Sequence, residues 1–223
     1  MRRRALTWAA AGLLWLPVAR AHSLNETDAA GGVREALQRG AASAVQLLGR
    51  QGGFLDNPKL RIPLPGYLKD AARLMDMMGQ GDRVRELVTA MNRGAEAAVP
   101  EARQLLVHTV RDISVEDAVK LVRGGDSSVT SFFERKTRAP LTEKFLPIVT
   151  ETTSRVQLAD KYNAVAGKAT GLGLVKKEDA NVQQYVTRKA LDGLYLVIGE
   201  EEKRIRTDPV GTGSALLRKV FGV

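Results

Sequence analysis

The sequence contains no cysteine, only two histidines, and aromatic residues at 5%. Without cysteine there is no disulfide staple, no thiolate nucleophile, no lipidated cysteine and no thiolate metal site, so packing must carry stability. His22 and His108 stand far apart and cannot form a His/Cys zinc set with nothing else to help them. Other kits are missing too. Gly167-Lys168-Ala169-Thr170 lacks the upstream glycine of a phosphate loop, since Tyr162 stands there, and no strand precedes it. Gly171-Leu172-Gly173 is too short for a dinucleotide fingerprint, and no EF-hand spacing or Gly-x-Ser-x-Gly elbow occurs. The residues imply no cofactor and no metal. No alternating run is long enough for a sheet, and no internal repeat is visible.

What is present begins with MRRRALTWAAAGLLWLPVARAHS. Arg2, Arg3 and Arg4 precede an apolar stretch, Ala5–Val18, and Ala19-Arg20-Ala21 fits a small-x-small cleavage rule. This reads as a signal peptide over 1–21, with export through it, and the apolar stretch is short for a membrane span. Cleavage removes four arginines and both tryptophans, Trp8 and Trp15, and lowers the net charge from +9 to about +5. The expected mature chain, 22–223, is long enough for one domain with a real core and has no transmembrane span of its own.

Apolar residues then recur at three- and four-residue spacing, which predicts helices. A first helix from near Asp28 carries Val33, Leu37, Ala41, Ala44 and Leu48 and ends at Gly49. A second follows Pro65 with Leu68, Ala72, Met75 and Met78, and a third spans Asp82–Val99 before Pro100 kinks or restarts it. Ser114-Val115-Glu116-Asp117 has the form of a capping box opening a short helix. Asp126 is placed to cap the next, Pro140 to start a longer one with a kink at Pro147, and further helices cover Asp160–Lys168 and Asp179–Arg206. Ser214 is placed to cap a terminal turn. The predicted fold is all-α: a single helical bundle with a core over about 28–206 and a short C-terminal helix at 213–221.

Between the first two helices lies GFLDNPKLRIPLPGYL, with three prolines in eight residues. Residues before proline avoid helical angles, so Ile62 and Leu64 are pushed extended, and alternation sends Leu60, Ile62 and Leu64 to one side. The segment is either a strap sealing the seam between helices or the wall of a ligand groove; the strap is favoured.

Three further stretches hold candidate polar residues. Asp192 interrupts the apolar run KALDGLYLVIG, with Lys189 one turn earlier as its expected partner; the run reads as a central buried helix. Gly193 and Gly199 would let another helix approach. In MNRGAEAAVPEA, Asn92 and Glu96 fall side by side at the edge of the apolar stripe while Arg93 points away. In YNAVAGKA, Tyr162, Asn163 and Lys168 gather near a helix end. Each reads more readily as structural than as a ligand contact. EEEKRIR reads as a solvated helix end with Glu200–Arg204 and Glu202–Arg206 pairs.

Taken together, GFLDNPKLRIPLP, MNRGAEAAVPEA, LTEKFLPIVTETT, YNAVAGKA and YVTRKALDGLYLVIGEEEKRIRTDP resemble a family of exported bacterial proteins, the domain-of-unknown-function 4197 family. The resemblance runs from about Leu24 to Phe221 and departs at Gly94, where the family pattern leads one to expect alanine. It implies a Gram-negative envelope setting, hence the periplasm, and supplies no activity or catalytic residues. Two readings of function follow. One is a non-catalytic binding or interaction module for an amphiphilic small molecule or an envelope protein, using the strip and the last long helix. The alternative is a carboxylate-dependent hydrolase or lyase using Glu96, Asp192 and Tyr162, which requires those three to converge on one cavity. Nucleic-acid binding is disfavoured, because charge is modest after cleavage and basic residues are interleaved with acidic ones.

Overall fold

The computed structural model describes residues 25–171 and 181–222; the side chains of Tyr67, Val165 and 168–170 are outside that description. The expected signal peptide, Asp179 and the side chain of Lys168 therefore lie outside the described residues. The fold is all-α, and among the described residues no helix is long and apolar enough to cross a membrane.

The first helix, α1 (Glu26–Leu48), starts where the Asn25 side chain accepts from the Thr27 N–H, with Glu26 and Asp28 in the first turn complementing the helix dipole. It buries Val33, Leu37, Ala41, Ala44 and Leu48. A turn-rich and extended segment follows, then a 3-10 turn at Gly66–Leu68 and α2 (Lys69–Met77). Gly79, at φ +73, makes the reversal into α3 (Gly81–Ala98). At Pro100 the chain passes through a 3-10 turn, Val99–Glu101, into α4 (Ala102–Arg111). Next, α5 (Val115–Val122) opens with the Ser114 hydroxyl accepting from Asp117 N–H.

Helix α6 spans Ser128–Thr153 without a break, so Pro140 does not start a helix; both it and Pro147 lie inside α6. Each proline frees the carbonyl four residues earlier, and these belong to Lys136 and Glu143, both exposed, where water can take the lost bond. Nor does Asp126 cap it. The Val129 and Thr130 N–H groups at its start donate to the Glu202 carboxylate, 3.1 and 2.8 Å away, on a different helix.

After α7 (Gln157–Gly171) comes α8 (Val182–Thr207), opened by Asn181 accepting from Gln184 N–H, then α9 (Ala215–Phe221), opened by Ser214 accepting from Leu217 N–H. Helix α8 runs through the centre, packed on α1, α3 and α6, while α3 also packs on α6. Leu191, Leu194 and Ile198 are buried, but Leu196 is 48% exposed, so α8 shows one strip to solvent rather than being apolar all round. Gly40 of α1 brings that helix against Ile198. At Gly193 the approaching group is not a helix but the Phe54 ring, which a Cβ would meet at 2.8 Å.

The charged end of α8 is solvated at Glu200, Lys203 and Arg204, and the expected Glu202–Arg206 pair forms at 3.0 Å, but that pair lies inside the fold. Glu202 is buried, accepting additionally from the Thr130 hydroxyl at 2.6 Å and from Arg206. Arg206 spends its remaining donors on the Leu121 and Val122 carbonyls and the Ser128 hydroxyl. One buried ion pair thereby ties the end of α5, the start of α6 and the end of α8. Arg204 pairs with Glu201 one turn earlier, not with Glu200.

Candidate functional site

The segment between α1 and α2 is held by side chains, not by a sheet. Turns occupy 51–56 and 58–60; only 61–65 runs without one. Ile62 is buried, while Leu60 and Leu64 are partly buried. Asn92 of α3 grips Ile62 from both sides: its carbonyl accepts from Ile62 N–H at 2.8 Å, and its amide donates to Ile62 C=O at 3.0 Å and to Val88 C=O at 2.7 Å. One turn on, a single Glu96 oxygen accepts from Phe54 and Leu55 N–H, both at 3.0 Å. The Tyr185 hydroxyl donates to Pro63 C=O at 3.0 Å.

These bonds satisfy buried backbone groups that no helix or strand serves. Asn92 and Glu96 are themselves buried, so the edge of the α3 stripe is an anchor for the segment. Arg93 does not point away; it reaches Glu96 at 2.6 Å. Burial alone would raise the Glu96 carboxyl, but the Leu55 amide, the Arg93 guanidinium and the Phe54 amide outweigh it and hold it below the ordinary carboxylate value. A carboxylate so committed is a poor general acid.

Asp192 is not a buried floor. Its side chain is 40% exposed and sits among three cations, with Arg138 of α6 at 3.0 Å, Arg188 at 3.3 Å and Lys189 at 4.0 Å. Its nearest partner thus comes from another helix, and Lys189, the partner expected from spacing, is the farthest. Asn163 accepts from Val182 N–H at 2.8 Å and donates to Gln183, joining α7 to the first turn of α8. Tyr162 is buried and lines a cavity. Neither Glu96 nor Asp192 is among the residues lining it, so the three groups that an acid/base enzyme needs together are not brought to it.

That cavity is the feature sequence reasoning placed only in part. It has a volume of about 330 Å³ and lies between the end of the proline segment, α2, α3 and α7. Leu64 and Leu68 form one wall, Ala72 and Met75 the roof, Val84 and Leu87 the floor, and Leu158 and Tyr162 the far side. Only Gln80 and Lys161 bring polar side chains beyond the tyrosine hydroxyl. The roof helix is unusual: α2 has no buried residue, and Leu74, Met77 and Met78 are 58%, 84% and 66% exposed. A further cavity on its other side is lined by Leu64 and Ala72 as well, together with Arg61 and Val88. Helix α2 therefore bridges open space on both flanks. Methionines at three-residue spacing signalled an amphipathic helix in the sequence, but nothing there showed that its partners leave it unfilled.

A family model described as a protein of unknown function, DUF4197, matches residues 23–222. No curated protein and no solved structure matches the chain.

Proposed function

We propose that this chain, which belongs to the DUF4197 family of proteins of unknown function, is an exported periplasmic binding module that holds the apolar part of an amphiphile in the groove under α2. The observation that carries this reading is the roof helix. A nine-residue helix with no buried residue gains little from the fold it belongs to, yet it turns Ala72 and Met75 toward a cavity walled by leucine, valine and tyrosine. Apolar surface facing such a space is poorly served by water, and an apolar chain filling it removes that surface from solvent. Methionine suits the role, because its unbranched side chain repacks around different shapes. The volume falls at the lower end of small-ligand sites, ~300–1,000 Å³.

The arrangement favours binding over catalysis. The groove's polar side chains are a glutamine, a lysine and a tyrosine, and the two carboxylates considered for acid/base work are engaged elsewhere, Glu96 with backbone amides and Asp192 with arginines.

Native mass spectrometry of protein purified from the periplasm tests the proposal. A co-purified amphiphile is expected, lost in Met75→Glu, which places a charge in the groove, and kept in Leu74→Gln, which changes α2 on its exposed side. Retention of the bound mass in Met75→Glu, or its repeated absence from the wild-type protein, would refute the reading.

A further inference from the structure

A second cavity, about 310 Å³, adjoins the groove and is lined by Arg83, Glu86, Arg155, Gln157, Leu158 and Lys161. Leu158 and Lys161 line both cavities. The two therefore meet at these residues, the first apolar under α2 and the second cationic where α3 meets the start of α7. We propose that the site takes a single-chain anionic amphiphile, a long-chain carboxylate, with its tail in the groove and its carboxylate between Arg83 and Lys161. This rests on the groove being an amphiphile site.

The charges select the headgroup. Arg155 is already held by Glu151 at 3.2 Å. Among the described residues, Arg83, Lys161 and Glu86 make no ion pair, although all three line the same cavity. Two cations and one carboxylate leave a single positive charge to be met, which suits a monoanion better than a phosphate monoester. Guanidinium matches a carboxylate in two parallel hydrogen bonds, and the ammonium adds a compact charge beside it. Both cations are exposed, so a neutral headgroup gains nothing from them, and a cationic one is repelled. Lys161 stands at the junction, so its stem continues the apolar wall while its ammonium reaches the headgroup. The modest groove volume favours one chain over two.

Calorimetric titration with dodecanoate, dodecyl maltoside and dodecyltrimethylammonium, each below its micelle concentration, separates head from tail. Dodecanoate is expected to bind at least about tenfold more tightly than the other two, the scale of one charge-assisted contact. Arg83→Gln with Lys161→Gln should abolish that preference, whereas Glu86→Gln should tighten dodecanoate. Shortening the carboxylate should weaken binding about two- to fourfold per methylene. Equal binding of the three heads, with no effect of the charge variants, overturns the headgroup assignment and leaves the groove standing. Binding of none, or dodecanoate binding indifferent to Met75→Glu, overturns both.

Discussion

Replacing Glu202 by glutamine keeps its size and removes only its charge, and the structure sets what that should cost. The carboxylate is 4% exposed. One oxygen accepts from Val129 N–H at 3.1 Å and Arg206 Nε at 3.0 Å; the other accepts from Thr130 N–H at 2.8 Å and its hydroxyl at 2.6 Å. Whichever end becomes an NH₂ group then faces donors. The less costly orientation turns the amide toward Thr130, whose hydroxyl can reverse and accept. Thr130 N–H is still left without a partner, a penalty of about 1–3 kcal/mol. Arg206, 14% exposed, also loses its counter-ion. Breaking a buried pair from one side costs about 3–5 kcal/mol in all. For a chain of this size that is a fall in Tm of about 6–20 °C. Urea unfolding followed by circular dichroism at 222 nm gives the free energy directly. The double variant Glu202→Gln with Arg206→Met should lose less than the sum of the two single changes. A loss under about 1 kcal/mol for Glu202→Gln, or strict additivity in the double variant, would refute the claim that this pair anchors the start of α6.

Asn92→Leu should cost about 2–5 kcal/mol, because it strands both backbone groups of buried Ile62; hydrogen exchange should accelerate at the Ile62 amide. Gly94→Ala should stabilise by about 0.5–1 kcal/mol in urea titration, since the added methyl meets Thr152 at 3.4 Å, an ordinary contact, and relieves a glycine inside α3. Tyr195 is pushed up to about 12 by burial, partly offset by its hydrogen bond with Thr137. Its neutral form is favoured in the fold, so its stabilisation is complete below the unfolded value of ~10 and is lost as pH rises toward the folded one, by about 2 kcal/mol between pH ~9 and ~11.5. Wild type should lose that much more than Tyr195→Phe over the same interval. Glu96 runs the opposite way. With its carboxyl held low, its contribution is present at neutral pH and is lost as pH falls through the folded value, so Glu96→Gln should flatten the acid limb of stability against pH.

Features that depend on near neighbours could be read from the sequence. Ser114 capping Asp117 and Ser214 capping Leu217 are bonds across three residues, and the chain shows both partners at once. The α1 stripe and the 3-10 turn at Pro100 follow from spacing and from proline chemistry in the same way. What was hidden depends on distant partners. Glu202 serves amides 72 and 73 residues earlier, and Asn92 serves Ile62 across 30. Asp192 looked like a buried acid because its sequence neighbours are apolar, but its side chain is part-exposed and its nearest cation is Arg138, 54 residues away. Pro140 looked like a helix start because its destabilising effect depends on where the freed carbonyl points. The groove was half visible. Its residues were apolar in sequence, while the gap between them belongs to the packing of α2, α3 and α7.

The covering of α1 has a consequence for how the polypeptide comes into being. Val220 fits against Gly32, Ile198 against Gly40, and Asp28 pairs with Lys219, 191 residues later. A chain emerging amino end first can cover one side of that helix with α4 and α5, but leaves the side that faces α8 and α9 bare until nearly everything else has followed. Any holdase that shields nascent apolar surface meets that side of α1, with Val33, Leu37 and Ala41 in its stripe, until the carboxyl end arrives.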